Sequence, residues 1–474
     1  MASRKDLFQS YQSSVRRLVS GLVLREADPA RTPLRRMGGA VFGSVMVAAL
    51  TLAVAGVIGV VRPGGNTTWQ TSGQVVVEEE TGARFAYLPD ADGTQRLHPV
   101  PNLASGALLM GTATTVQVSA ASLAGVPRGP RLGIPDAPDS MPAPDRLLGA
   151  PWTLCSTPPE QGSGDEVPDT QLVVGRSTTS GDPVDQAAVL VRDVEDGSLH
   201  LVWAGHQYPV PQEDAVLEGL TYRTQPQVQV GTAWLNAMPA GNALVPEPAE
   251  GRGEPSALAG AVVGEVRVVG SGEGAQYYQV TRGGIEEITA VQKDLLLADP
   301  SLTSTVYVGR AVEPVPLSAA EANSVPRAEL AERTDADPPA QRPEPAAVTS
   351  AESTVCASFT GAAQLPEVSV QAEVAGTDIA AATGGVGADG AVLADSVVVA
   401  PGGGAVVLAQ GSGTATTGGL FLVTDAGVRY PVPDEDTLAV LGYAGVTPVA
   451  LPSSLVARLP AGPTLDVTDA RLPL

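Results

Sequence analysis

Apolar and polar positions divide this chain into three regimes. Near the start, Leu7, Tyr11, Val15, Leu18, Val19 and Leu22 recur at helical spacing, with Arg16 and Arg17 beside the stripe, until Pro29 and Pro33 stop the pattern. An amphipathic helix is expected within residues 1–37. The stretch from Gly38 to Val61 then reads "GGAVFGSVMVAALTLAVAGVIGVV", without a charge or a proline. As a helix it would cover roughly 36 Å, more than the about 30 Å of a hydrocarbon core, so a transmembrane segment is predicted over 38–61. A cleaved signal would have an apolar core of only about 7–15 residues. Beyond Arg62 the apolar runs shorten to strand length and are punctuated by Gly and Pro.

One phrase is spelled twice in that last regime: "HQYPVPQEDAVLEGL" and "VRYPVPDEDTLAVLGY". The alignment pairs Gly205 with Gly427, Tyr208 with Tyr430, Pro209 with Pro431 and Pro211 with Pro433, and it continues to "WLNAMPAG" against "LVARLPAG". Weaker copies surround Gly93 and Gly284. Each copy reads as a strand, a glycine-containing turn, a second strand and, most clearly in the second and fourth, a short helix; acidic residues follow Pro211 and Pro433, where they suit a helix start. A ββα unit of this size buries its apolar face poorly alone and must lean on neighbours.

The copies follow a fixed order that occurs twice. A repeat, a strand-like run, a Pro-rich stretch, a cysteine, a strand and a second repeat make one long unit. "TTVQVSAASL" and Cys155 belong to the first unit, "STVYVGRAV" and Cys356 to the second. The segments 127–144 and 333–345 are too poor in apolar residues to be expected to pack. The predicted organisation is therefore a cytoplasmic helix in 1–37, the anchor in 38–61, and a linker with the first repeat in 62–110. A first core half in 111–195 and a second repeat in 196–245 follow, then a linker with the third repeat in 246–300. A second core half in 301–417 holds a disordered insertion at 322–350, and 418–474 carries the fourth repeat and a tail.

Charge adds a direction. The 474 residues hold 28 basic and 51 acidic side chains, a net charge of −23, yet the first 37 residues are net basic. Arg31, Arg35 and Arg36 precede the anchor, and only Arg62 follows it closely. The positive-inside rule then puts the N-terminus in the cytoplasm and the acidic body outside, where no nucleic-acid partner is expected. Cys155 and Cys356 both fall outside, and an even count in an oxidising compartment reads as one disulfide, with two buried free thiols as the alternative. Their equivalent places in a duplicated body would bring them together near a pseudo-twofold axis.

Candidate chemistry is sparse. The only lysines, Lys5 and Lys293, do not follow a Gly-rich loop, so a lysine-bearing phosphate loop is excluded. "GVGADG" at 385–390 has dinucleotide-motif spacing but puts Asp389 where phosphate would sit. His98, His200 and His206 are expected at surfaces or turns, and no Cys/His spacing suits a metal. No cofactor and no catalytic residue is expected.

The head "SYQSSVRRLVSGLV", the adjoining "PLRRMGGAVFGSVMVAALTLAVAGVIGVVRPGG", the two cysteines and the "YPVP" repeats together resemble the EccB family, the single-pass component of actinobacterial type VII (ESX) secretion membrane complexes. The resemblance covers essentially the whole chain. It implies an elongated α+β extracytoplasmic region with a β-rich central core and four small repeats similar to a cell-wall-binding endolysin subunit, PlyCB. It also implies assembly with EccC, EccD, EccE and sister EccB subunits, with a mycosin protease nearby. The head helix itself suits either anionic membrane headgroups or the surface of a partner, and peptidoglycan is a further candidate contact. A stand-alone cell-wall-binding membrane protein is the alternative, with an ATPase or an envelope hydrolase more remote.

Overall fold

Runs of β-branched and small apolar residues such as Val75–Val77, Ala187–Val191 and Ala405–Ala409 are buried on both faces, and each opens a sheet. The computed structural model describes residues 3–24, 33–61, 67–90, 92–159, 167–330, 332–374, 376, 378–415 and 417–474. They form two compact units, one of residues 1–72, 78–82 and 117–126, the other of 73–77, 83–116 and 127–474.

The first unit holds two long helices, Arg4–Leu24 and Pro33–Val61. The predicted head helix thus exists, and its stripe is bare: Leu7, Tyr11, Leu18 and Leu22 are each more than 60 % exposed. Among the described residues no helix is long and apolar enough to cross a membrane. In the second helix the side chains are described from Gly38 to Val54 and at Gly56 and Val57. The continuous part covers roughly 26 Å. Arg31 and Arg62, which orient the predicted anchor, lie outside the described residues, as do the side chains of Arg35 and Arg36.

The second unit replaces the expected ββα repeat with a larger one. In the second repeat, three antiparallel strands (Ala187–Asp193, Leu199–Trp203, His206–Pro209) lead into the helix Glu213–Gly219. A fourth strand, Gln227–Val230, returns parallel to the first. The fourth repeat does the same with Gly404–Gln410, Gly419–Thr424, Arg429–Val432 and Val449–Pro452. In the third, Val266–Val269, Gln276–Val280 and Ile285–Ile288 precede Val315–Pro316. The first repeat has this strand order too, with Thr115–Val118 in fourth place.

Two expectations are corrected here. "TTVQVSAASL" belongs to the first repeat rather than to the core. "STVYVGRAV" is no strand: it begins at the end of the helix Leu302–Thr305 and turns through Gly309, because Val306 and Tyr307 are drawn into a cluster with Leu302.

The central sheet runs Ala381–Ala382, Ser396–Val398, Asp169–Val173, Trp152–Thr157, Val355–Phe359, Glu367–Glu373, Ser180–Pro183. Its middle pair is antiparallel and sets Cys155 directly opposite Cys356. The halves exchange strands around this pair. Ser180–Pro183 of the first half joins Glu367–Glu373 of the second, while Ser396–Val398 of the second joins Asp169–Val173 of the first.

The repeats pair across the duplication. Leu108 and Ala104 of the first repeat share a core with Leu422, Tyr430 and Leu441 of the fourth. Likewise Leu190, Tyr208 and Val216 of the second share one with Val291 and Leu295 of the third. The Pro-rich segments expected to be unstructured run over these pairs instead. Ile134 and Ala137 are buried in the first pair's core. Pro343 is buried, and Glu344–Pro345 adds a short parallel strand beside Ala187–Ala188. Composition misled because these straps bury few apolar side chains and are held mainly through backbone groups, which any residue supplies.

Candidate functional site

Glycine at the repeat turns has two jobs. Ala204 (φ +47°) and Gly205 (φ +77°) form a two-residue turn with both positions left-handed, the geometry that matches strand twist. The turn also presses on the core: a Cβ on Gly205 would stand 2.8 Å from the Pro366 carbonyl oxygen. Gly427 (φ +73°) repeats the arrangement on the opposite half, where a Cβ would stand 2.9 Å from Val397 Cβ. Its turn is one residue longer, since Val423 pairs with Arg429 where Val202 pairs with Gln207.

The two matching tyrosines are ring anchors. Tyr208 is fully buried and Tyr430 is 7 % exposed. Over each ring lies the glycine of the second matching phrase, so a Cβ on Gly241 or Gly462 would come within 2.3 Å of the ring carbon Cε1. The "PAG" phrases are there because their backbone closes the sheet edge. The amide of Gln207 donates to Pro239 O and that of Gly241 to Gln207 O, matched by Arg429 to Pro460 and Gly462 to Arg429. Burial pushes the Tyr208 phenol up to about 12. Pro209 ends its strand and Pro431 lies within its own, and their carbonyls accept from the amides of Leu244 and Leu465. Pro211 and Pro433 end the ladder ahead of helices that begin with Glu213-Asp214 and Glu435-Asp436, as the sequence indicates. Beside Pro211, Arg192 holds the Glu213 carboxyl below its usual range.

Each strap is held by a tyrosine of the opposite half. Tyr443 donates its hydroxyl to Pro142 O at 2.8 Å, and Tyr222 donates to Pro343 O at 2.8 Å. Continuing along the straps, Leu148 N donates to Gly404 O and Ala346 N to Ala188 O, each on the first strand of the opposite half's repeat. Between the straps, Cys155 and Cys356 are bonded, with Cα atoms 4.0 Å apart and a sequence separation of 201. The expected disulfide is present. Neither tyrosine–strap bond was visible in the sequence, although Pro142 and Pro343 are separated by the same interval as the cysteines.

The family described as "Type VII secretion system ESX-1, transport TM domain B", EccB, matches residues 1–473. The chain belongs to this EccB family. It is 28 % identical to the "ESX-3 secretion system ATPase EccB3" of Mycolicibacterium smegmatis, over 96 % of this chain and 88 % of that one. It is 30 % identical to the "ESX-2 secretion system ATPase EccB2" of Mycobacterium tuberculosis, over 84 % of this chain and 81 % of that one. Among solved structures, an EccB3 dimer from the ESX-3 core complex superposes with a TM-score of 0.61 at 26 % identity, covering 84 % of this chain and all of that one. A chain of the intact ESX-5 inner membrane complex gives 0.63 at 23 % identity, covering all of this chain and 96 % of that one, which speaks for the fold.

Those relatives carry the word ATPase, so the places in this EccB family member where phosphate could sit matter. "GVGADG" is a turn: Gly390 N donates to Gly387 O, and Asp389 accepts from Ala391 N while pairing with Arg429 at 3.2 Å. The Ala391 amide and the Arg429 guanidinium hold the Asp389 carboxyl below its usual range, so a carboxylate occupies the position phosphate would need. Lys293 lies within the helix Ala290–Leu297, pairs with Asp294 and faces the Tyr277 ring at 5.0 Å. Among the described residues no three His, Cys, Asp or Glu side chains are grouped to hold a metal. The histidines correct the sequence reading, since His98 and His206 are buried and only His200 is partly open. His98 and His206 sit on sheet strands with their rings turned inward, whereas His200 lies on the other face from buried Leu199 and Leu201, against Ser198 and Gln207.

On the head helix, Leu7, Tyr11, Val15, Leu18 and Leu22 form an uncovered apolar stripe, and Arg16 and Arg17 are exposed alongside.

Proposed function

We propose that this chain is a non-catalytic structural subunit of a type VII secretion membrane complex, anchored by the segment 38–61 and extending the complex outward from the cytoplasmic membrane. The observation that carries this reading is the reciprocal strapping of the two halves. Each Pro-rich strap crosses onto a repeat of the other half, and the disulfide joins the middle strands. Such a body transmits position rather than housing chemistry.

The charge-free run Gly38–Val61, with Arg31, Arg35 and Arg36 before it, supports a single-pass, N-in topology with the repeats in the periplasm-like space. The bare stripe of Leu7, Tyr11, Val15, Leu18 and Leu22 is the docking face for cytoplasmic partners or lipid headgroups. The partners are the other Ecc components (EccC, EccD and EccE) and sister subunits, with a mycosin protease nearby. ATP turnover is not intrinsic to the chain, because neither Lys5 nor Lys293 follows a phosphate-cradling loop.

Affinity purification of the tagged full chain from membranes in mild detergent tests the reading. A large particle containing the other Ecc components is expected, with ATP hydrolysis that depends on a partner's phosphate loop. A free monomer, or hydrolysis abolished by a point substitution in this chain and retained by its partners' variants, would overturn it.

A further inference from the structure

A cavity of about 440 Å³ opens beside the first repeat, walled by Leu88, Leu109, Leu132 and three prolines and carrying Asp90, His98 and Arg471. His98 is its unusual member. The ring is 3 % exposed, and Gly129 lies so close over it that a Cβ there would stand 2.2 Å from Cε1. Its Nδ1 is 3.0 Å from Pro130 O. A carbonyl can only accept, so Nδ1 carries a hydrogen, and the tautomer that fits leaves the acceptor position at Nε2. That Nε2 has no hydrogen-bond partner among the described residues. Asp90 is held by Arg96 at 3.1 Å, whereas Arg471 is exposed and forms no ion pair among the described residues.

The fold does not dictate this set. The third repeat stands where the first does in the other half, and Glu286 takes the place of His98: each follows the residue that bridges to the closing Pro-Arg segment, Leu97 to Arg128 and Ile285 to Arg327. The cleft there is lined by Glu247, Glu286, Glu287, Glu332 and Asp337 against a single Arg333. One cleft of the pair is acidic, and the other combines a buried acceptor, a free guanidinium and apolar walls.

We propose that the His98 cavity receives the apolar C-terminal residue of a peptide. The carboxylate pairs with Arg471, the amide N–H of that residue donates to His98 Nε2, and the aliphatic side chain lies against Leu88, Leu109 and Leu132. The volume lies within the range of small-ligand sites. Inorganic phosphate would leave the apolar walls unfilled, and a fatty acid would leave Nε2 without a donor.

N-acetyl-leucine is the probe, titrated calorimetrically into the full chain in lipid nanodiscs, with the ¹⁵N resonances of labelled histidine followed in parallel. Binding should move the His98 Nε2 resonance. N-acetyl-leucinamide, which lacks the carboxylate, and 4-methylpentanoic acid, which lacks the amide N–H, should each bind about tenfold more weakly. Arg471→Gln, at an exposed position, should weaken the acid about tenfold and remove its advantage over the amide, while Arg471→Lys retains part of it. Absence of binding, equal affinity for acid and amide, an unmoved His98 resonance, or unchanged affinity in Arg471→Gln would each overturn the assignment.

Discussion

Tyr443 and Pro142 lie 301 residues apart in sequence, and the hydroxyl of one donates to the carbonyl of the other at 2.8 Å in a buried contact. Tyr222 and Pro343 make the matching contact from the opposite half. Burial pushes both phenols up, so each remains a neutral donor across the physiological range. Tyr443→Phe and Tyr222→Phe each leave a buried carbonyl without its donor and should each cost about 1–2 kcal/mol in denaturant unfolding. The losses should be nearly additive in the double variant because the two sites share no partner. Parent-like midpoints would show that the straps are held by something else.

The Cys155–Cys356 bond closes a loop of 201 residues, for which chain entropy alone gives about 5 kcal/mol, an upper figure in practice. Non-reducing peptide mapping should recover the linked pair. Cys155→Ser and Cys356→Ser should lower the unfolding midpoint by similar amounts, since each removes the same bond. Thiol titration that finds both cysteines free in oxidised protein would contradict this.

Glycine substitutions separate conformation from contact. Gly93 has φ +78° and open space where a Cβ would go, so Gly93→Ala should cost about 1 kcal/mol from its left-handed backbone alone. Gly205→Ala adds a clash with the Pro366 carbonyl and Gly427→Ala one with Val397, and both should cost clearly more. Equal costs at all three sites, read by thermal unfolding, would mean that the turns do not press on the core.

How far the fold could be read from the sequence follows from what each contact is made of. The Tyr-Pro-Val-Pro phrases and their glycines were legible because a left-handed turn and a buried ring demand particular side chains. The cysteines were legible for the same reason. The fourth, parallel strand of each repeat was missed: Gln227–Val230 and Val449–Pro452 are separated from their partners by a helix, and no local turn residue announces the pairing. The straps were misread because their backbone carbonyls make the key bonds, and composition is silent about carbonyls. A lone histidine carries no periodicity, so sequence alone suggests a surface or turn for His98, while its inward position depends on strand register, Ala86 opposite His98.

Acid should loosen the second repeat. The hydrogen bond from Arg192, outweighing some burial, holds the Glu213 carboxyl below its ordinary 4.5. A depressed carboxylate contributes stability above its unfolded value and loses it as pH falls through the lower folded value. Unfolding curves should therefore be flat in this contribution above about pH 5 and decline below pH 4. In Arg192→Gln the decline should be shallower; a decline as steep as the parent's would remove the pair from the account.

Whether the duplicated halves act as one body is decided by native-state hydrogen exchange of the two central strands, Trp152–Thr157 and Val355–Phe359, in the disulfide-bonded protein. Reciprocal strapping predicts that amides on both strands exchange only through the same global opening, with the same opening free energy and the same denaturant dependence. If one strand opens at a lower free energy while the other stays protected, the halves move independently and the interlocked body is contradicted.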